Sequence, residues 1–285
     1  MIYNKIYDFC KVRDIDRKRY SNRAKFLVNL LTELGIEHKV IRTKSTRYNK
    51  YFYNIYVWGS SDKYLSAHYD VVDPTVDNAN DNSASVINCI AYKVMNPSIN
   101  LLILDGEEPP FMGAGSSLAA KYLKRLGRPV KWIFNLELTG AGKTFFIDNA
   151  DTQLSKCIQK HFPEAFVTGT PFNDAMVFRN HGFESNVVTC VNIKEEPDVP
   201  NWWEKEKEDQ ETIDYMEDDD GNFVPDSLEK VQKKEEPKEK PKMRIVPDMS
   251  PLYHSHGPAD SVDKMSMEDM KNFVENVVDV IVKNC

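Results

Sequence analysis

The chain has 285 residues, 41% of them hydrophobic, and a formal net charge of −7 at pH 7. That length suits one large α/β domain or two small ones. The acidic balance argues against a nucleic-acid binder working through an overall basic surface, and no apolar run is long enough to span a membrane.

Residues 19–34 place Phe26, Leu27, Leu30, Leu31 and Leu34 on one helical face, with Gly35 just past its end, so a covering helix is expected. Residues 37–41 and 51–58 read as strands paired antiparallel through the polar stretch 42–50. A short strand over 64–67 ends on His68. A loop rich in Asp, Asn and Pro follows, and a helix is expected to open at Asp81 with Val86, Ile87, Ile90 and Val94 inward. Residues 100–104, with the apolar run Leu101-Leu-Ile-Leu104, read as the buried central strand, with Asp105-Gly-Glu-Glu108 at its C-terminal end. A helix over 113–126, a strand over 132–136, a short strand over 144–147, helices over 151–161 and 174–180 and a strand over 186–191 complete the alternation. Strands alternating with helices predict a three-layer α/β/α fold with a mixed, largely parallel central sheet.

The composition changes at Lys194. Residues 194–244 hold 18 acidic and 10 basic residues, a net −8, so the rest of the chain is nearly neutral. Such a stretch has little apolar surface to bury and is expected to be a partly disordered insertion, spanning 194–247, in a single domain of residues 1–285. Trp202-Trp203 and residues 213–216 are its apolar exceptions. A protein partner could bind through this acidic insertion. After it, Ser266 caps a closing helix with Asp269 three residues on, and Met270, Phe273, Val274, Val277, Val278, Ile281 and Val282 form its apolar stripe. The core therefore needs this last helix.

The cysteines Cys10, Cys89, Cys157, Cys190 and Cys285 are scattered, with no C-x-x-C. They read as free thiols in a reducing compartment. Residues 1–8 lack the apolar core of a secretion signal. The expected location is cytoplasmic.

Acids and histidines gather at predicted strand ends: His68, Asp70, Asp81, Glu107, Glu108 and Glu137, with His256 near the end of the chain. Taken singly, each has an ordinary explanation as a solvated acid or a hydrogen-bonded histidine. Together they are the residue types that hold a divalent metal, and the carboxyl edge of an open α/β sheet is where ligands bind. Neighbours at a strand end point in opposite directions, so one of Glu107 and Glu108 can face a metal while the other faces water.

Ser66-Ala-His-Tyr-Asp70, Asn80-Asp-Asn-Ser-Ala84, Asp105-Gly-Glu-Glu108, Gly115-Ser116, Asn135-Leu-Glu-Leu-Thr-Gly140 and His256-Gly-Pro-Ala-Asp-Ser-Val-Asp263 occur in one order. In that order they resemble the zinc-dependent exopeptidases that include bacterial leucyl aminopeptidase and glutamate carboxypeptidase II; glutaminyl cyclase is a related branch. The resemblance covers roughly residues 51–191 and 253–285. It implies a zinc-exopeptidase fold, two zinc ions, and a peptide or aminoacyl substrate cleaved at its N-terminal residue by zinc-activated water. His68 and Glu137 would bind one ion, Glu108 and His256 the other, and Asp81 would bridge them. Glu107 would be the general base, and Asp70 would orient His68. Phe172-Asn-Asp174 resembles a segment that lines the site.

Three departures stand out. Glu137 replaces the family's usual Asp, Pro109-Pro-Phe-Met112 lengthens the loop after the glutamate pair, and the acidic insertion precedes His256. His254 is the fallback for His256. Two other readings stay open: a glutaminyl-cyclase-like acyltransferase with one zinc on Asp81, Glu108 and His256, and a non-catalytic binding protein on the same fold.

Overall fold

β-branched and aromatic runs build an eight-stranded sheet. Its strands are β1 (Lys39–Ser45), β2 (Lys50–Val57), β3 (Lys63–His68), β4 (Asn100–Leu104), β5 (Trp132–Glu137), β6 (Thr144–Asp148), β7 (Phe166–Thr168) and β8 (Ser185–Val191), in the order β1-β2-β4-β3-β5-β8-β6-β7. The computed structural model describes residues 2–13, 21–197, 215–217, 223–225, 243–247, 257 and 259–285. The middle of the sheet, β4-β3-β5-β8, is parallel, whereas β1, β2 and β6 join it antiparallel. The sheet is therefore mixed, as expected.

The strands are buried on both faces because alternate side chains feed two helix layers. Leu101 and Ile103 of β4 enter one core, which is closed by α1 (Lys5–Cys10), α2 (Asn22–Glu33), α3 (Ser85–Met95), α5 (Gln153–His161) and the C-terminal helices α7 (Met267–Phe273) and α8 (Asp279–Asn284). Leu102 and Leu104 enter the other, against α4 (Ala114–Leu126) and α6 (Asp174–Asn180). The closing helix is capped by Ser266, whose hydroxyl accepts from the Asp269 N–H, and a wider turn at Val274–Val278 separates α7 from α8.

Three expectations are corrected. Val94 does not face inward; it is 50% exposed. Lys93 takes the inward place, because its ammonium donates to the carbonyls of Trp58, Pro97 and Ile99, which the chain reversal leaves open. Asp81 does not open a helix. It sits in the irregular turn Ala79–Ala84 with φ −110° and ψ 93°, and α3 starts at Ser85. The cysteines are not all free thiols: Cys157 and Cys285 form a disulfide with Cα atoms 5.7 Å apart, tying α5 to the end of α8. A separation of 128 residues hides that pairing from any local spacing rule. Cys10, Cys89 and Cys190 are free and buried.

The chain divides into a main unit, Met1–Asn192 with Pro247–Cys285, and a second unit, Ile193–Val246. In the stretch between the main-unit segments, β9 (Ile193–Pro197) pairs with β12 (Met243–Pro247). β10 (Tyr215–Glu217) pairs antiparallel with β11 (Phe223–Pro225). Trp202 and Trp203 lie outside the described residues. Among the described residues no helix is long and apolar enough to cross a membrane.

Candidate metal centre

Parallel strands that end together bring their following residues together, and β3, β4 and β5 end side by side. His68 closes β3, Glu107 and Glu108 follow β4, and Glu137 closes β5. Gly106 makes the sharp exit from β4: it has φ +81°, and a Cβ there would stand 2.3 Å from the Phe52 ring. Asp81 arrives from the turn before α3, and Asp174 from the first residue of α6.

The side chains converge on the His68 ring, which is buried. Its Nε2 lies 3.1 Å from Glu137 Oε1, 3.2 Å from Asp81 Oδ1 and 3.9 Å from Glu107 Oε2. Its Nδ1 lies 3.5 Å from Asp70 Oδ1. His68, Asp81 and Glu108 each present a ligand atom within 4.8 Å of the others, a spacing a single ion can bridge. The structure thus brings together His68, Asp70, Asp81, Glu107, Glu108 and Glu137. His256 and His254 lie outside the described residues.

Asp70 does more than the sequence implied. Its Oδ1 accepts the Glu107 N–H at 3.2 Å and its Oδ2 accepts the Glu108 N–H at 3.1 Å, so one carboxylate orients the histidine and fixes the backbone of the glutamate pair. The Asp81 turn is held from two sides. Asp260 accepts the N–H groups of Asn80 and Asp81 at 2.6 and 3.0 Å. Asn80 accepts the Gly140 N–H, and Asn82 donates to the Leu136 carbonyl, stitching the turn to the end of β5. Arg23, 1% exposed, donates to the Tyr69 carbonyl and to Ser83, and lies over the Phe9 ring. Sequence reading missed Arg23 because a charge on an apolar helix face carries no periodic signal. Asp260 was legible only as part of the motif that runs from His256 to Asp263.

So many buried carboxylates are electrostatically costly without a cation. Burial drives the Glu107 carboxyl well above its usual pKa, pushes Glu137 to about 7 and raises Asp174 to about 6. Burial opposes charge on His68, yet Glu137, Asp70 and Asp81 together hold its pKa well above the usual histidine value. Both Asp174 oxygens are buried without a hydrogen-bond partner; the Ser116 hydroxyl that could steady them donates to the Gly113 carbonyl at 2.9 Å. One imidazolium cannot balance this set, and an imidazole nitrogen together with carboxylate oxygens is a donor combination that zinc accepts. The donor set therefore fits the metal that the motifs imply.

Beside the carboxylates lies a cavity of about 230 Å³. Asp81, Glu107, Glu108 and Glu137 edge it, and Leu138, Phe146, Val187, Pro171, Phe172 and Met112 supply its apolar wall. Leu138 has φ +54°, a left-handed backbone that a leucine rarely adopts, directly after Glu137.

No family model matches the sequence, and no curated protein does. Solved structures are similar in fold. A glutaminyl cyclase from Porphyromonas gingivalis superposes with a TM-score of 0.64 at 14% identity, over 100% of this chain and 97% of that one. A Zn-dependent exopeptidase from Parabacteroides distasonis gives 0.63 at 13%, over 98% and 96%. A zinc aminopeptidase from Bacillus subtilis gives 0.52 at 17%, over 82% of this chain and 50% of that one. This chain spans 58% of the LapA aminopeptidase from Legionella pneumophila and half of the Bacillus enzyme. At such identities the likeness establishes the three-layer fold and nothing finer.

Proposed function

We propose that the chain is a zinc-dependent metallopeptidase that removes N-terminal residues from peptides. The observation that carries this reading is the convergence of His68, Asp81 and Glu108 within 4.8 Å, with Glu107 beside them at the edge of an apolar cavity. His68, Asp81 and Glu108 would hold zinc, with Glu137 next to His68 and His256 completing a second position, for two ions in all. Bound zinc would supply Lewis acidity, lowering the pKa of water toward ~7 and polarising the scissile carbonyl.

This chain's own groups do the rest. Glu107 faces the cavity, takes the proton from the attacking water and returns it to the leaving amine. Burial raises its pKa, which makes it a stronger proton acceptor than an exposed carboxylate. Asp70 keeps Glu107 and Glu108 aimed apart by holding both backbone N–H groups. The apolar wall of the cavity suits an apolar side chain.

A glutaminyl-cyclase-like acyltransferase is the second reading, favoured by the near full-length match to such an enzyme. The cavity weighs against it. Its wall is mostly apolar, and both Asn173 amide protons are already donated, to Thr170 and Pro171, so they are not available to a glutamine side chain. Metal analysis of the purified protein, beside turnover of aminoacyl amides and N-terminal glutaminyl peptides, tests both. Two zinc ions and release of apolar residues are expected; one ion at saturating zinc with pyroglutamate formation would replace the peptidase.

A further inference from the structure

The β1–β2 hairpin carries a charge pattern opposite to that of the chain. From 38 to 61 there are five Lys or Arg residues, Lys39, Arg42, Lys44, Arg47 and Lys50, and no acid, in a protein of net −7. Among the described residues no ion pair engages Lys39, Arg42, Lys44 or Arg47. β1 is also a sheet edge, and lysines on edge strands commonly serve only to deter edge-to-edge pairing.

Two features go beyond an edge guard. The cations rest on rings: Arg42 lies 3.6 Å from the Tyr51 centroid, Arg47 lies 5.1 Å from that of Tyr48, and Lys50 lies 4.2 Å from that of Phe111. Stacking holds a guanidinium in place and lowers the ordering cost of binding an anion. The hairpin also flanks the candidate site. β2 pairs with β4 only through Ile55, Tyr56 and Val57, so its first half and the hairpin tip run on past the end of β4. There the Tyr53 N–H donates to Asp105, and Phe52 and Tyr48 pack on Phe111, in the loop between Glu108 and Met112.

Sheet order then orients a substrate. The apolar cavity lies on the β5-β8-β6 side of the glutamate pair, while the hairpin lies on the opposite side, past β4. A peptide whose first side chain fills the cavity would leave toward the hairpin. Two strand spacings of ~4.8 Å separate β4 from β1, about three residues of extended peptide at ~3.3 Å each. We propose that the basic, aromatic-backed outer half of the β1–β2 hairpin, with Arg42 and Lys44 on one side of the ribbon and Lys50 on the other, binds acidic residues of the peptide substrate, at about the third to sixth positions from its N-terminus. This rests on the peptidase reading above and narrows its substrate class to peptides with an apolar first residue and an acidic stretch behind it.

The test reads binding without turnover. The zinc-supplied full chain is titrated, by fluorescence anisotropy, with labelled peptides whose first peptide bond is reduced to CH2–NH. One peptide continues Leu-Ala with four glutamates, the other with four glutamines. The acidic peptide is expected to bind at least roughly tenfold tighter at low salt, with that advantage shrinking as salt rises. The triple variant Arg42→Gln, Lys44→Gln, Arg47→Gln should remove the advantage while its thermal midpoint and its turnover of leucyl amide stay as in the parent. Equal affinity for the two peptides, or an advantage that survives in the folded triple variant, would overturn the proposal. A single-stranded oligonucleotide that binds the same hairpin more tightly than the acidic peptide would overturn it too. Charge-dependent binding with no hydrolysis of any peptide would leave this surface standing and remove the peptidase reading instead.

Discussion

Glu107 and Glu108 are chemically identical neighbours with different surroundings. Both border the cavity, but Glu108, and not Glu107, shares a 4.8 Å cluster with His68 and Asp81. Glu107→Gln removes the proton acceptor but leaves the proposed metal ligands, so hydrolysis should fall by about 10²–10⁴-fold with zinc content unchanged. Glu108→Gln should lose zinc and activity together. Elemental analysis beside steady-state rates separates them, and a zinc-free Glu107→Gln with a zinc-loaded Glu108→Gln would reverse the assignments. At this scale the acids were readable because each follows an apolar strand. Their supports were not: Arg23 and Asp260 act through contacts made across 46 and 179 residues of chain, which no window along the sequence contains.

Elements with strong periodicity appear where the pattern placed them. The strand Asn100–Leu104 and the helix Asp174–Asn180 match the expected ranges residue for residue. The three-residue strand β7 was not foreseen, because so short a run has no period to detect. Val94 had the right period and the wrong surroundings, since Lys93 satisfies three carbonyls that only the folded reversal exposes. The Cys157–Cys285 bond belongs to this scale, joining α5 to α8. Cross-linking so distant a pair restricts the unfolded chain strongly, by about 2–5 kcal/mol in measured cases. Reductant should therefore lower the thermal midpoint of the parent by several degrees. The Cys157→Ser protein should start at that lower midpoint and not respond to reductant; an unchanged midpoint in both would show that the bond constrains little.

Across the whole molecule, the carboxylate cluster couples stability to pH and to metal. In metal-free protein, Asp105 and Glu137 have pKa values near 7 and Asp174 near 6, all raised chiefly by burial. The folded state then holds more protons than the unfolded state between about pH 4 and 7, so its stability falls as pH rises through that window. His68, raised by its acids, acts in the same direction above its unfolded value, and the lowered Asp70 acts only below pH 4. The thermal midpoint in chelator should thus be lower at pH 7.5 than at pH 5.5, and added zinc should raise it most at pH 7.5. A midpoint rising with pH in chelator would contradict the cluster's electrostatics. The layer architecture was legible from alternation, whereas the strand order was not, because periodicity says nothing about which strand lies beside which. The pairing of β9 with β12 has a separate consequence. It ties Ile193–Pro197 to Met243–Pro247 as a neck of two paired strands, so replacing residues 198–242 with a short Gly/Ser linker should leave the main unit's thermal midpoint nearly unchanged. A large drop would mean that the intervening chain packs on it. Once the ends are joined at a neck, doubling the length between them costs only about 0.6 kcal/mol in closure entropy. If the midpoint holds in that test, insertions and deletions between the two strands should be nearly neutral for the fold, and that stretch should be free to drift in sequence while the sheet and its acids stay put.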